Sequence, residues 1–230
     1  MLPLYDLTRP SHRPYVNYGL IIINAIIFVF EVAYTNNFAP QPTRVLFEWL
    51  GLVPYYLINT FNGAGLITLV TPVTSMFLHA GVIHLAGNML FLFVFGGNVE
   101  GALGHNKYLG FYLIAGIAGG LTQTYLSLAA GPLDIYAPSI GASGAISGVM
   151  AAYLEFFPSA RIVSYLGYFI IPIRAFWFVG LWFLLQLFFF FGGVNTGVAY
   201  GAHIGGFVAG LIIAAATRPF VKKREESELL

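Results

Sequence analysis

Cysteine is absent from the 230 residues, which excludes disulfides, thiolate metal sites and thiol nucleophiles together. Charge is scarce as well. Charged residues make up 8% of the chain against 58% hydrophobic ones, whereas soluble domains carry about 25% charged residues. So few charges cannot cover a water-exposed surface. The net charge of +1 lacks the basic field on which nucleic-acid binding rests, and no nucleic-acid partner is expected. No His-Glu-x-x-His occurs, and His79 and His84 are wrongly spaced for one metal site, so no metal and no cofactor is implied. The Gly-x-Ser-x-Gly of soluble hydrolases is missing too: Ala145 stands where its second glycine would, without strand–helix alternation around it.

What is present is apolar sequence in long runs. A bilayer core about 30 Å thick needs about 20 mainly apolar helical residues to cross it. Six segments qualify: 17–34, 82–99, 108–128, 143–157, 173–191 and 199–217. The fourth is short, as suits a helix that begins at the bottom of a cavity and not among lipid headgroups. The expected fold is therefore an all-α membrane protein with six transmembrane helices. No small-residue cleavage site follows the first run, so it reads as a retained helix. Cytoplasmic loops retain Lys and Arg, and six spans with the N-terminus inside gather Arg9, Arg13, Lys107, Arg161, Arg174, Arg218, Lys222, Lys223 and Arg224 on one side, leaving Arg44 outside. Residues 1–16 are then a cytoplasmic segment, 17–217 the membrane domain and 218–230 a charged cytoplasmic tail, read as disordered. A bacterial or archaeal plasma membrane is the default location. The long connection 35–79 holds Pro40, Pro42, Pro54 and Pro72 but also Leu46, Phe47, Trp49 and Leu50, which reads as a structured, partly membrane-dipping external loop.

Polar residues within spans are expensive and need a partner or a task. Asn17, Asn24 and Glu31 recur every seven residues and share one face, which fits hydrogen bonding between helices. His84 and Asn88, four apart, share a face near the outer end. The pair fits either a polar contact between helices or two donors aimed at a developing oxyanion. Gly144 and Gly148 fit close helix packing, while Ser143 at the helix start fits a nucleophile beside unpaired backbone N–H groups. Ala202, Gly206 and Gly210 form a matching small-residue stripe. Packing the two stripes brings Ser143 within reach of His203, the geometry of a serine–histidine pair. The only aspartates are Asp6, expected to be cytoplasmic, and Asp134, in the loop before the fourth segment, so no third member is evident and a dyad is expected.

The run from His79 through His84 and Asn88 to Gly96-Gly97-Asn98-Val99-Glu100, then Gly141-Ala142-Ser143-Gly144, then Ala202-His203-Ile204-Gly205-Gly206, resembles the rhomboid family of intramembrane serine proteases. The likeness runs from Asn17 to Thr217, with three motifs in order. It implies a six-helix rhomboid-like bundle with a long external first loop, around a water-filled cavity. Ser143 would be the nucleophile and His203 the base, with His84, Asn88 and the Ser143 N–H forming the oxyanion hole. His79 would support the first loop, alongside Glu100 and the glycines 144, 148, 206 and 210 as structural positions. The implied partners are transmembrane protein substrates within the lipid bilayer, and the segment from Phe176 to Phe191 looks like a lateral gate. Two departures stand out. Trp49 is followed by Leu50, where some members have a Trp-Arg pair, and Ser147 stands where some place a tyrosine to stack on the histidine. Competing readings are a catalytically silent relative that binds transmembrane helices and, with less support, a small transporter using Asn24, Glu31, His84 and His203.

Overall fold

The computed structural model describes residues 1–8, 10–131, 134–193 and 197–228, with the side chains of Phe220 and of 222–228 set aside. Its elements in chain order are β1 (Leu2–Asp6), α1 (Tyr15–Tyr34), α2 (Pro40–Leu50), α3 (Pro54–Ile58), α4 (Thr71–Thr74), α5 (Val82–Leu103), α6 (His105–Ala130), α7 (Ser143–Phe156), β2 (Arg161–Leu166), β3 (Phe169–Arg174), α8 (Ala175–Phe191) and α9 (Tyr200–Glu228). Each of the six apolar segments contains a helix. Among the described residues, α1, α5, α6 and the Tyr200–Pro219 part of α9 are long and apolar enough to cross a membrane, whereas the apolar α8 has 17 residues.

The bundle is organised around α7, which has 14 residues. Every residue from Gly144 to Tyr153 is buried, the pattern of a helix enclosed on all sides. It packs against α9, α6, α5 and α8. The closest seam is with α9: a Cβ on Gly206 would lie 2.0 Å from the Gly144 carbonyl oxygen, and one on Gly210 would lie 2.4 Å from the Gly148 Cα. Only hydrogen at these positions lets the backbones meet. α6 joins the seam as well: a Cβ on Gly119 would lie only 2.6 Å from the Ala202 carbonyl oxygen. Three helices therefore share one small-residue junction.

Buried polar groups pin the end of the bundle where α5 stops and α1 starts. The Glu100 carboxylate accepts the backbone N–H groups of Val16 (3.0 Å) and Asn17 (2.7 Å) and lies 2.5 Å from His105 Nδ1. It takes the place of an N-cap for α1, whose own cap residue, Pro14, makes no side-chain cap bond. Asn17 donates to the Leu92 carbonyl and accepts from the Tyr108 hydroxyl. Asn24 and Glu31 are buried on the same face of α1, and Asn24 donates to the Leu20 carbonyl of its own helix.

At this same end lies an antiparallel sheet of order β1-β2-β3, which the sequence reading left inside an N-terminal segment and an unassigned connection. Asp6, at the end of β1, accepts from Thr8 N–H (2.8 Å), Asn98 Nδ2 (2.6 Å) and the Tyr153 hydroxyl. The alternation that marks a strand is masked here because Phe169 to Ile173 is apolar on both faces. A second correction concerns the tail. α9 continues through Pro219 to Glu228, so its backbone is helical where disorder was expected; the Lys and Glu residues there are good helix formers extending an existing helix. Arg9 and the side chains of Lys222, Lys223 and Arg224 lie outside what is described.

Candidate active site

At the opposite end, which we call the cavity end, α7 begins with Ser143 and the first turn of α9 carries His203. The glycine junction sets their separation: Ser143 Oγ lies 2.8 Å from His203 Nε2, hydrogen-bond distance for a hydroxyl and an imidazole. The other ring nitrogen is also occupied. His203 Nδ1 lies 2.8 Å from Gln186 Oε1 on α8, and Gln186 Nε2 donates to the Trp182 carbonyl at 3.2 Å. Trp182 lies over the imidazole with centroids 5.9 Å apart and planes 32° from parallel, and Tyr200 meets it edge-on at 6.2 Å. The ring that lacks a tyrosine at position 147 is thus flanked from α8 and α9.

Gln186 was missed in the sequence. The signal was available: it is the only side chain with a hydrogen-bonding amide in the apolar α8, and an amide in such a segment needs a partner. Ser147, one turn below Ser143, is buried and donates to the Ser143 carbonyl at 2.6 Å, so its hydroxyl is engaged within its own helix.

α5 supplies the facing wall. His84 Nδ1 accepts the Ala80 N–H at 3.3 Å, which places the ring proton on Nε2. That nitrogen faces Gly141: a Cβ there would sit 2.8 Å from it, and Gly141 has φ +114°, a region open to glycine. Asn88 Nδ2 donates to the His84 carbonyl at 3.0 Å, and the amide retains a second N–H. The Ser143 N–H belongs to the first turn of α7, whose donors lack intrahelical acceptors. Behind this wall, both Glu31 carboxylate oxygens accept the His79 N–H, at 3.1 and 3.2 Å, tying the loop before α5 to the end of α1. The His79 ring meets His84 edge-on at 5.1 Å, and burial beside that second histidine pushes His79 down to about 4, so it is neutral at neutral pH. Of the remaining structural positions, Gly144, Gly148, Gly206 and Gly210 form the α7–α9 seam, and Glu100 lies at the sheet end.

Ser143, His203, His84 and Asn88 open on one cavity of about 900 Å³, whose apolar wall includes Phe91, Met150 and Trp182. Among the described residues, no three His, Cys, Asp or Glu side chains form a group that could hold a metal ion.

Residues 66–220 match the rhomboid domain family. The chain belongs to the rhomboid family. This rhomboid is 30% identical over 225 residues to Rhomboid protein 1, mitochondrial, of Saccharomyces cerevisiae, covering 95% of this chain and 58% of that protein. It is 33% identical over 205 residues to Rhomboid protease AarA of Providencia stuartii, covering 86% of this chain and 70% of that one. To Presenilin-associated rhomboid-like protein A, mitochondrial, of Danio rerio it is 34% identical over 125 residues, 54% of this chain and 30% of that protein. The chain therefore spans less than two thirds of these mitochondrial relatives. The rhomboid is membrane-embedded, and its family includes serine intramembrane proteases.

Proposed function

We propose that this rhomboid is an intramembrane serine endopeptidase that cleaves transmembrane segments of membrane proteins. The observation that carries the proposal is the Ser143–His203 contact of 2.8 Å at the wall of the 900 Å³ cavity. Ser143 Oγ attacks the scissile carbonyl while its proton passes to His203 Nε2, and the imidazolium then protonates the leaving amine. Water admitted by the cavity hydrolyses the acyl-enzyme with His203 as base. The oxyanion falls to His84 Nε2–H, the second Asn88 N–H and the Ser143 N–H, donors oriented before the charge develops. A peptide bond within a helix is shielded by its own hydrogen bonds, so the substrate must unwind locally to reach Ser143.

The proposed topology has six crossings and both termini in the cytoplasm, in the plasma membrane of the cell. Arg13 lies between β1 and α1, and Lys107, Arg161, Arg174 and Arg218 lie on elements that start or stop at the sheet end, whereas Arg44 lies on α2, in the connection leading to the cavity end. Since the chain has no native cysteine, single Lys107→Cys and Arg44→Cys variants can be probed with an impermeant maleimide on intact cells. Labelling of Lys107→Cys would reverse the orientation.

The activity is tested by fluorophosphonate labelling in detergent and in liposomes, which needs no known substrate. Labelling that is lost in Ser143→Ala and in His203→Ala but retained in Ser147→Ala supports the protease. A folded parent that stays unlabelled in both media favours a silent binder of transmembrane helices.

A further inference from the structure

The notable feature of α8 is how little it offers besides apolar surface. Gln186 is 8% exposed, and among the described residues its amide meets the Trp182 carbonyl and His203. The first contact decides the second. Because Nε2 donates to the Trp182 carbonyl, Oε1 is the atom turned to His203 Nδ1. A carbonyl oxygen can only accept, so Nδ1 must carry the ring proton. Nε2 is then left with its lone pair toward Ser143 Oγ, the one tautomer able to take the hydroxyl proton. From this geometry we infer that Gln186 is a positioning residue, a neutral amide that fixes the tautomer and plane of His203 for proton transfer from Ser143. This rests on the reading of Ser143 and His203 as nucleophile and base.

An amide suits the place better than a carboxylate. In serine hydrolases the third residue is a carboxylate that also stabilises the imidazolium, but an ionised group is costly at membrane depth. Gln186 supplies the acceptor without the charge. The groups facing His203 are Ser143 from α7, Gln186 and Trp182 from α8, Tyr200 on α9 itself and His84 across the cavity on α5. None of these, among the described residues, is a carboxylate. The contact also joins α8 to the base, so proton transfer depends on where that helix sits.

Two measurements test the inference. The first uses the parent protein with 15N-labelled histidine, the His203 signals being assigned by their loss in His203→Ala. The expected ring shifts are those of an Nδ1–H tautomer; a predominant Nε2–H tautomer overturns the assignment. The second compares fluorophosphonate labelling rates in Gln186→Leu and Gln186→Glu, with thermal unfolding as the control for folding. Gln186→Leu should slow the maximal labelling rate by roughly 10- to 100-fold, with the half-saturating probe concentration unchanged. Gln186→Glu, which keeps an acceptor at the same reach, should recover most of that rate. Labelling of Gln186→Leu at the parental rate overturns the role of Gln186 while leaving Ser143 and His203 in place. An unlabelled parent overturns that pair and the inference with it.

Discussion

The two ends of the bundle treat buried polar groups in opposite ways. At the sheet end, carboxylates are saturated: Glu100 meets three nitrogens from α1 and α6, Asp6 meets Thr8, Asn98 and Tyr153, and Arg218 meets Glu155 at 2.8 Å between α9 and α7. At the cavity end, His84 Nε2, the second Asn88 N–H and the helix-start N–H of Ser143 are held in place by neighbours but keep donor capacity toward a cavity. A buried donor left without a partner is destabilising, so the second arrangement persists because the helices are fixed elsewhere. The glycine junction of α6, α7 and α9 and the saturated sheet end fix them. With the proposed activity, stability and reactivity are divided between the two ends of the same helices.

The largest effect expected from breaking this division is Glu100→Ala. It removes the acceptor for two backbone N–H groups at the start of α1 and leaves them buried. A cost of about 2 to 6 kcal/mol is expected, about 1 to 3 for each of the two donors left without an acceptor. Unfolding in detergent should occur well below the parental temperature, while protein still folded at low temperature should label at Ser143 as the parent does. An unchanged unfolding temperature would mean that the sheet end does not hold the bundle together.

Asn88→Ala is the mirror image. It deletes a donor at the cavity end and leaves the glycine junction intact. Labelling or turnover should fall about 10²- to 10³-fold, the loss typical of one oxyanion donor and equal to about 2.7 to 4 kcal/mol in the transition state, with the unfolding temperature almost unmoved. If stability fell and the rate did not, Asn88 would be a polar contact between helices and nothing more.

These two residues also show what sequence can and cannot reveal. Positions with a helical period were legible: the face of Asn17, Asn24 and Glu31 is buried, and the stripes of Gly144 with Gly148 and Gly206 with Gly210 meet. Motif order carried the family. What escaped depended on contacts between elements distant in the chain. Asp6 is expected from sequence only to be cytoplasmic, because nothing near it in the chain announces Asn98 or Tyr153. The sheet escaped because one of its strands comes from the N-terminal segment and the others lie over 150 residues later. Gln186 escaped for a different reason: a carboxylate is the usual partner of a catalytic histidine, while the hydrogen bond to His203 needs only an acceptor.

A smaller effect is expected at Tyr153→Phe. The hydroxyl reaches Asp6, and its loss leaves that carboxylate, among the described residues, with Thr8 and Asn98. The ring still packs against Phe95, 5.1 Å away and near perpendicular, so only the hydrogen bond is removed. A loss of about 1 to 3 kcal/mol in unfolding follows, with labelling unchanged. A fall in labelling would show that the sheet end reaches the cavity through α7, and the division between the ends would have to be redrawn.

The smallest effect, and the sharpest comparison, lies within one turn of α7. Ser143 and Ser147 share a helix, a residue type and a near-identical sequence setting of small neighbours, yet one hydroxyl meets an imidazole and the other returns to the Ser143 carbonyl. That carbonyl belongs to the helix ladder in any case, so Ser147→Ala removes a redundant donor and should change stability by less than about 1 kcal/mol. Fluorophosphonate labelling should proceed at the parental rate. A large loss of labelling with the unfolding temperature preserved would make the Ser147 hydroxyl part of the reacting group, and the difference between the two serines would then lie in motion of α7 and not in the hydrogen bonds drawn here.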